Sequence, residues 1–225
     1  MQEKIEDTGS VLMKIVEAIS ISPQDARALV AQYEVQARRA NDGVSDTHIN
    51  KLVTDKIITR YSKMAAASGA ATSLAGVVPG VGTAVAAVGG GMADLSVCMK
   101  LQIDMTMCLA MAINAELTNE DAKHMSIIIA LSGSLEQLVT DSGTRIASKA
   151  GVRMVNKYLS GAVLQTIKEL FKLVGISFTK KAAAKVIPFG IGVVIGASAN
   201  YKLTQYVGNT ARTMFLLDLD DKTTA

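Results

Sequence analysis

An all-α fold is what this sequence predicts: one multi-helix domain with two glycine- and proline-interrupted apolar helical hairpins packed centrally. Three observations predict it. Apolar residues recur at helical spacing through most segments, and few runs alternate with the two-residue period of a strand. Hydrophobicity is carried by Ala, Gly, Val, Ile, Leu and Met, with an aromatic share of 4% and no Trp, which suits close helix packing. Two stretches, 65–93 and 186–200, are rich in small residues and each is broken by a single proline. A chain of 225 residues is long enough to bury a sizeable core.

From the N-terminus, Ile5, Leu12, Ile15, Val16 and Ile19 fall near helical spacing and predict a short amphipathic helix over 4–19. The acids Glu3, Glu6, Asp7 and Glu17 break any apolar core there, so no signal peptide is expected. Ser22, Pro23 and Asp25 form a helix start: a capping hydroxyl, a first-turn proline and an early acid. That helix carries Ala26, Leu29, Val30, Tyr33 and Ala37 on one side and stops near Asn41-Asp42-Gly43. Ser45-Asp46 opens a third, with Ile49, Leu52, Val53, Ile57 and Tyr61 as its stripe. Bases and acids match one for one through Lys63, as in an ordinary solvated helical region.

No charged residue occurs between Lys63 and Asp94. An apolar helix over 92–115 is expected next, with Asp94, Lys100, Gln102 and Asp104 as its sparse polar residues. Lys100 and Asp104 stand four apart and are placed to pair, base first. Thr118 with Asn119, Glu120 and Asp121 starts another helix, and Gly133, Gly143, Gly151 and Gly161 punctuate the chain beyond it. A helix over 161–174 is expected to end at Gly175, with a short one from Thr179 and a last one over 200–217. The boundaries predicted are an N-terminal helical region 1–63, a helical domain 64–217 and a polar, frayed tail 218–225.

Sites of known chemistry are hard to find in this pattern. Gly76 to Thr83 has the look of a phosphate loop, but its glycine spacing is wrong and no lysine precedes Thr83. Gly190, Gly192 and Gly196 miss the dinucleotide spacing and no βαβ unit surrounds them. The two histidines, His48 and His124, lack the i, i+4 partner of a helical zinc site. No catalytic residue, cofactor or metal is therefore proposed from the sequence, and an enzyme is not expected. Asp94 and Asp104, in an apolar helix, must be paired, hydrogen-bonded or wet. Together with Lys100 they are the expected buried polar set, with Asp94 orienting the start of its helix. Cys98 and Cys108 lie ten residues apart, about 15 Å on a helix, too far to bridge, which fits a reducing compartment. The methionines crowd the central helices, where core filling is the default and an adaptable apolar pocket the alternative.

Charge gives the sharpest local signal. The net charge of +3 is too small to argue for nucleic acid. Yet Arg145, Lys149, Arg153 and Lys157 recur every four residues, followed by the pairs Lys168 with Lys172 and Lys181 with Lys185. Between 145 and 185 nine bases face one acid, Glu169. A solvated face explains scattered charges; the strict spacing suits an anionic membrane surface or a protein partner. Stacking aromatics are not interleaved, which argues against nucleic acid.

The stretch 65–93 would reach about 43 Å as one helix, but Pro79-Gly80 divides it into arms of about 20 Å, short of a bilayer's hydrocarbon. Gly76, Pro79, Gly80 and Gly82 in the first stretch, and Pro188, Gly190, Gly192 and Gly196 in the second, read as hinge and packing positions. Buried core is favoured over insertion in lipid, and both stay open.

The run from Gly76 to Gly82 with Ala93-Asp94-Leu95, and Ile187-Pro188-Phe189-Gly190-Ile191-Gly192 through Gly196-Ala197, Asn200, Val207-Gly208 and Ala211-Arg212, resembles the EcsC protein family. The resemblance covers roughly residues 65–215 and leaves the first sixty without a counterpart. It implies a bacterial, mostly helical protein, with the family name tied to a membrane ABC-transporter operon. Its motifs are packing motifs, so no active site carries over. The expected function is a non-enzymatic protein at the cytoplasmic face of the inner membrane, peripheral or partly inserted. It would be accessory to transport or secretion, binding anionic lipid or a membrane or secreted protein. The alternatives are a soluble immunity or adaptor module with both glycine stretches buried, and a membrane-permeabilising protein.

Overall fold

The computed structural model describes residues 2–68, 90–138, 147–183 and 193–223. Among them are eight α-helices and no strand: α1 (Gln2–Ile19), α2 (Pro23–Ala40), α3 (Asp46–Ser68), α4 (Gly90–Ile113), α5 (Asn119–Leu138), α6 (Lys149–Leu159), α7 (Val163–Ala183) and α8 (Val193–Thr223). The fold is all-α, as the periodicity predicts.

Local chemistry starts the helices. Ser22 caps α2, its hydroxyl accepting the Asp25 N–H at 3.1 Å, with Pro23 in the first turn and Arg38 and Arg39 in the last. Thr118 accepts the Asp121 N–H at 3.1 Å ahead of α5, and Ser148 accepts the Gly151 N–H at 3.1 Å to open α6. Each such cap is worth about 1 kcal/mol over alanine. Between α2 and α3 the chain turns through Gly43 at φ +74°, the left-handed region that side chains with a Cβ disfavour.

Helix α4 is the axis of the molecule. Every residue from Leu95 to Ala112 is buried, and α1, α2, α3, α5 and α8 all pack against it. Such all-round burial explains its lack of amphipathic patterning. α8 lies along α3, α4 and α5, and α7 lies along α1 and α5. One hydrophobic cluster runs from Leu12 of α1 through Met105 of α4 to Phe215 of α8, so the first sixty residues share the core of the rest. Among Gly43, Gly133, Gly161 and Gly208, the last has the tightest surroundings: a Cβ there would sit 2.9 Å from Met105 Sδ and 3.0 Å from Ile58 Cγ1. A glycine there lets α8 seat against α3 and α4 together.

Three expectations about helix ends change. Gly175 does not end a helix: α7 continues through it and through Thr179 to Ala183. An interior glycine costs only about 1 kcal/mol against alanine, and the burial of Phe171 and Val174 beside it favours continuation. The last helix begins at Val193 rather than near Asn200, so the small residues before Asn200 are its first turns. It also runs past Leu217 to Thr223, because Asp218 is buried and accepts a hydrogen bond from Asn156 Nδ2 at 3.0 Å. Of the hinge positions, Gly76, Pro79, Gly80, Gly82, Pro188, Gly190 and Gly192 lie outside the described residues, and Gly196 falls in the first turn of α8.

Candidate functional site

Among the described residues polar chemistry concentrates in the interior of α4, on the surface of α6 and α7, and in an outer groove between α2 and α3. Inside, the Lys100 ammonium donates to the Asp104 carboxylate one turn along, and both side chains are at most 7% exposed. Asp104 Oδ1 also accepts the Ile21 N–H at 2.8 Å, so the pair fastens the α1–α2 corner onto α4. Burial pushes the Asp104 carboxyl above the usual range, while Lys100 and the Ile21 N–H pull it back. A buried carboxylate with these two partners is stabilised as an anchor.

A second set of polar groups continues along the same helix. Gln102 Oε1 accepts from Ser134 Oγ at 2.7 Å, its Nε2 donates to Cys98 Sγ at 3.6 Å, and Thr106 Oγ1 donates to the Gln102 carbonyl at 2.8 Å. Cys108 Sγ lies 3.7 Å from the Tyr61 hydroxyl. Burial pushes the Cys108 thiol up to about 12, which keeps it protonated and a poor nucleophile. Burial raises the Tyr61 hydroxyl as well. These groups cross-tie α4 to α3 and α5, and their chemistry is that of packing.

Beside the α1–α2 corner is a cavity of about 220 Å³, walled by Val16, Ile21, Ile103, Met107, Ile127 and Phe171. Glu17 and Lys123, both exposed, stand where it meets solvent. Met107 is the methionine that faces this space; Met99, Met105, Met111 and Met125 are buried in the core. No group of three metal-ligating side chains occurs among the described residues. His48 is exposed and His124 half-buried.

The surface set is different in kind. Lys149, Arg153 and Lys157 are exposed along α6, with Lys149 Nζ 3.7 Å from Asp221 Oδ1 at the end of α8. On α7 Lys168 is exposed and Lys172 half-buried. Leu164, 56% exposed, lies one turn before Lys168 on the same face of α7, and Leu173, 50% exposed, lies about 140° further round the helix. Lys181 lies in the last turn of α7 with its side chain outside the described set, as is that of Asp94 in α4; Arg145 and Lys185 lie outside the described residues altogether.

Sequence reading overlooked the outer groove between α2 and α3, where Tyr33, Lys56, Arg60 and Lys63 meet. The i, i+4, i+7 spacing of the three bases was the available signal, hidden by a region whose charges balance overall.

Among the described residues one helix is apolar and long enough by composition to cross a membrane: the stretch Leu95–Ile113 has a mean hydropathy of 1.4, and all of it but Ile113 is buried inside the fold. Its apolar surface is therefore used in the core. No curated protein and no solved structure matches the chain. The EcsC protein family profile matches residues 2–217, including the first sixty residues, which carry no recognisable motif and share the common core. The chain belongs to the EcsC protein family.

Proposed function

We propose that this chain is a non-enzymatic helical protein of the cytoplasmic face of a bacterial membrane, accessory to transport or secretion, and that α6 and α7 hold anionic lipid or a membrane partner. The observation that carries the reading is the pairing of exposed Lys149, Arg153, Lys157 and Lys168 with exposed Leu164 on two consecutive helices. A base near an anionic surface gains about 1 kcal/mol, and Leu164, 56% exposed, gains about half of the roughly 1.5–3 kcal/mol of full burial. Four bases with a leucine inserted beside them supply a weak, reversible attachment without a spanning helix. Of the four large apolar side chains exposed among the described residues, two, Leu164 and Leu173, are on α7.

Flotation of the full chain with liposomes tests the reading. Binding to vesicles containing phosphatidylglycerol, absent from pure phosphatidylcholine and reversed by salt, is the expected result. The triple variant Arg153→Glu, Lys157→Glu, Lys168→Glu should stay at the bottom of the gradient. Failure of the unaltered chain to float with anionic vesicles at low salt would sink the proposal. Burial of α4 supports the second reading, a soluble interaction module; a monodisperse, vesicle-indifferent protein without detergent would favour it.

A further inference from the structure

The groove between α2 and α3 carries a charge arrangement that the balanced composition of its surroundings conceals. Lys56, Arg60 and Lys63 are all exposed on α3 and fall within about 60° of arc on a helix that turns 100° per residue. None of the ion pairs of the described residues includes any of the three. Asp55, the carboxylate that lines the same groove, is engaged by Lys51 Nζ at 2.6 Å and by Arg212 Nη1.

Two of the three cationic heads are instead held by neutral groups. Lys56 Nζ donates to Gln36 Oε1 at 2.6 Å, and Arg60 Nη1 donates to the Tyr33 hydroxyl. The buried Tyr33 ring lies 4.6 Å from Lys56 Nζ and 5.9 Å from Arg60 Cζ, so one aromatic residue positions both charges. Like charges at i, i+4 repel on a helix. Here they are fixed side by side with donors left over, and no acid among the described residues pairs with them. The groove is shallow and open to solvent, with Thr59 and Met64 completing its lining.

From this geometry we infer that the α2–α3 groove is a binding site for a multiply charged phosphate group, held by Lys56, Arg60 and Lys63. Three clustered cations match the two or three negative charges of a phosphomonoester or diphosphate better than the single charge of a carboxylate. The Arg60 fork suits tetrahedral oxygens, and the lysines act as point charges beside it. The group arrives either on a soluble molecule or as a lipid headgroup. This site is separate from the α6–α7 surface and does not rest on it.

Calorimetric titration of the full chain with inorganic pyrophosphate, with sulfate as control, reads the soluble source. Co-sedimentation of the Arg153→Glu, Lys157→Glu, Lys168→Glu variant, which lacks three of the α6–α7 bases, with phosphatidylcholine vesicles with and without phosphatidic acid reads the headgroup source. Pyrophosphate should bind in preference to sulfate, or that variant should sediment only with phosphatidic acid. In either case Arg60→Gln and Lys63→Gln should each weaken binding about tenfold, the usual weight of a charge-assisted contact. Lys63 is exposed, so its variant keeps the fold, which far-UV circular dichroism checks. The variant Arg153→Glu, Lys157→Glu should leave pyrophosphate binding unchanged. Binding by neither source, equal response to sulfate, binding of a DNA oligonucleotide alone, or full binding by both groove variants would overturn the assignment. So would loss of pyrophosphate binding through the α6 substitutions.

Discussion

Lys100 and Lys168 carry the same ammonium group and meet opposite surroundings. Lys100 is 6% exposed in the middle of α4, held by Asp104, while Lys168 projects to solvent from α7 one turn after exposed Leu164. Removing a buried charge's partner is costly because the low dielectric leaves nothing to replace it; an exposed lysine exchanges one partner for water at little cost. The difference separates a lysine that holds the fold from one free to meet an external surface. The same contrast divides the two groups of helices: α4 is an interior scaffold with internally satisfied polar groups, and α6–α7 offer their polar groups outward.

The strongest challenge to that contrast is chemical. With its thiol pushed up to about 12, Cys108 should react with a thiol reagent at pH 8 at least about a thousandfold more slowly in the native protein than after unfolding. Rapid native-state labelling would show that α4 is open to solvent and is not an interior scaffold.

Next in size is the ion pair itself. Asp104→Ala should cost about 3–5 kcal/mol in urea denaturation by stranding Lys100, whereas the double change Lys100→Met, Asp104→Leu should cost only about 1–3 kcal/mol, the weight of the Ile21 N–H left without its acceptor. A cost below about 1 kcal/mol for the single variant would place this pair with the surface ones. The sign of its pH dependence comes from the raised carboxyl. The native state holds the Asp104 proton to higher pH than the unfolded chain does, so this group's contribution to stability declines as pH rises from 3.8 through its folded value.

Packing comes third. Gly208→Val should cost about 1–3 kcal/mol, because its side chain must displace Met105 and Ile58 where α8 meets α4 and α3. An unchanged midpoint would mean that the three helices have slack at this contact.

The smallest effect sharpens the surface side. Partial burial works to raise Asp55, but hydrogen bonds from Lys51 and Arg212 outweigh it and hold the carboxyl below its usual range. Its contribution is present above the unfolded value of 3.8 and is lost as pH falls through the folded one. Asp55→Asn should lose about 0.5 kcal/mol at neutral pH, a typical exposed pair, and flatten the acid limb of the stability curve. An effect of several kcal/mol would assign this α3–α8 link to the scaffold.

How much of this was legible in the sequence depends on distance along the chain. The Ser22-Pro23-Asp25 start of α2 was readable because a cap is made within one turn. The Lys100–Asp104 pairing was readable for the same reason. The second partner of Asp104, the Ile21 N–H, was not, since 83 residues separate them and the α1–α2 corner must first seat on α4. Glycine misled at Gly175, where burial overrides a weak local preference against helix. In the first sixty residues, counting charges gave balance and concealed their segregation, because Tyr33 gathers Lys56 and Arg60 only once α2 packs on α3.

Local sequence was enough to set that this chain is helical, where several helices start, and that residues 145–185 carry a local excess of bases; each arises from sterics, hydrogen bonds and charge acting over a few residues. Tertiary packing was needed to decide that α4 spends its apolar surface inside the protein, that Lys100 is sealed while Lys168 is exposed, and that three bases of α3 share one groove. Burial is a property of neighbours brought from far along the chain, and it sets whether a given charge anchors the fold or remains available at its surface.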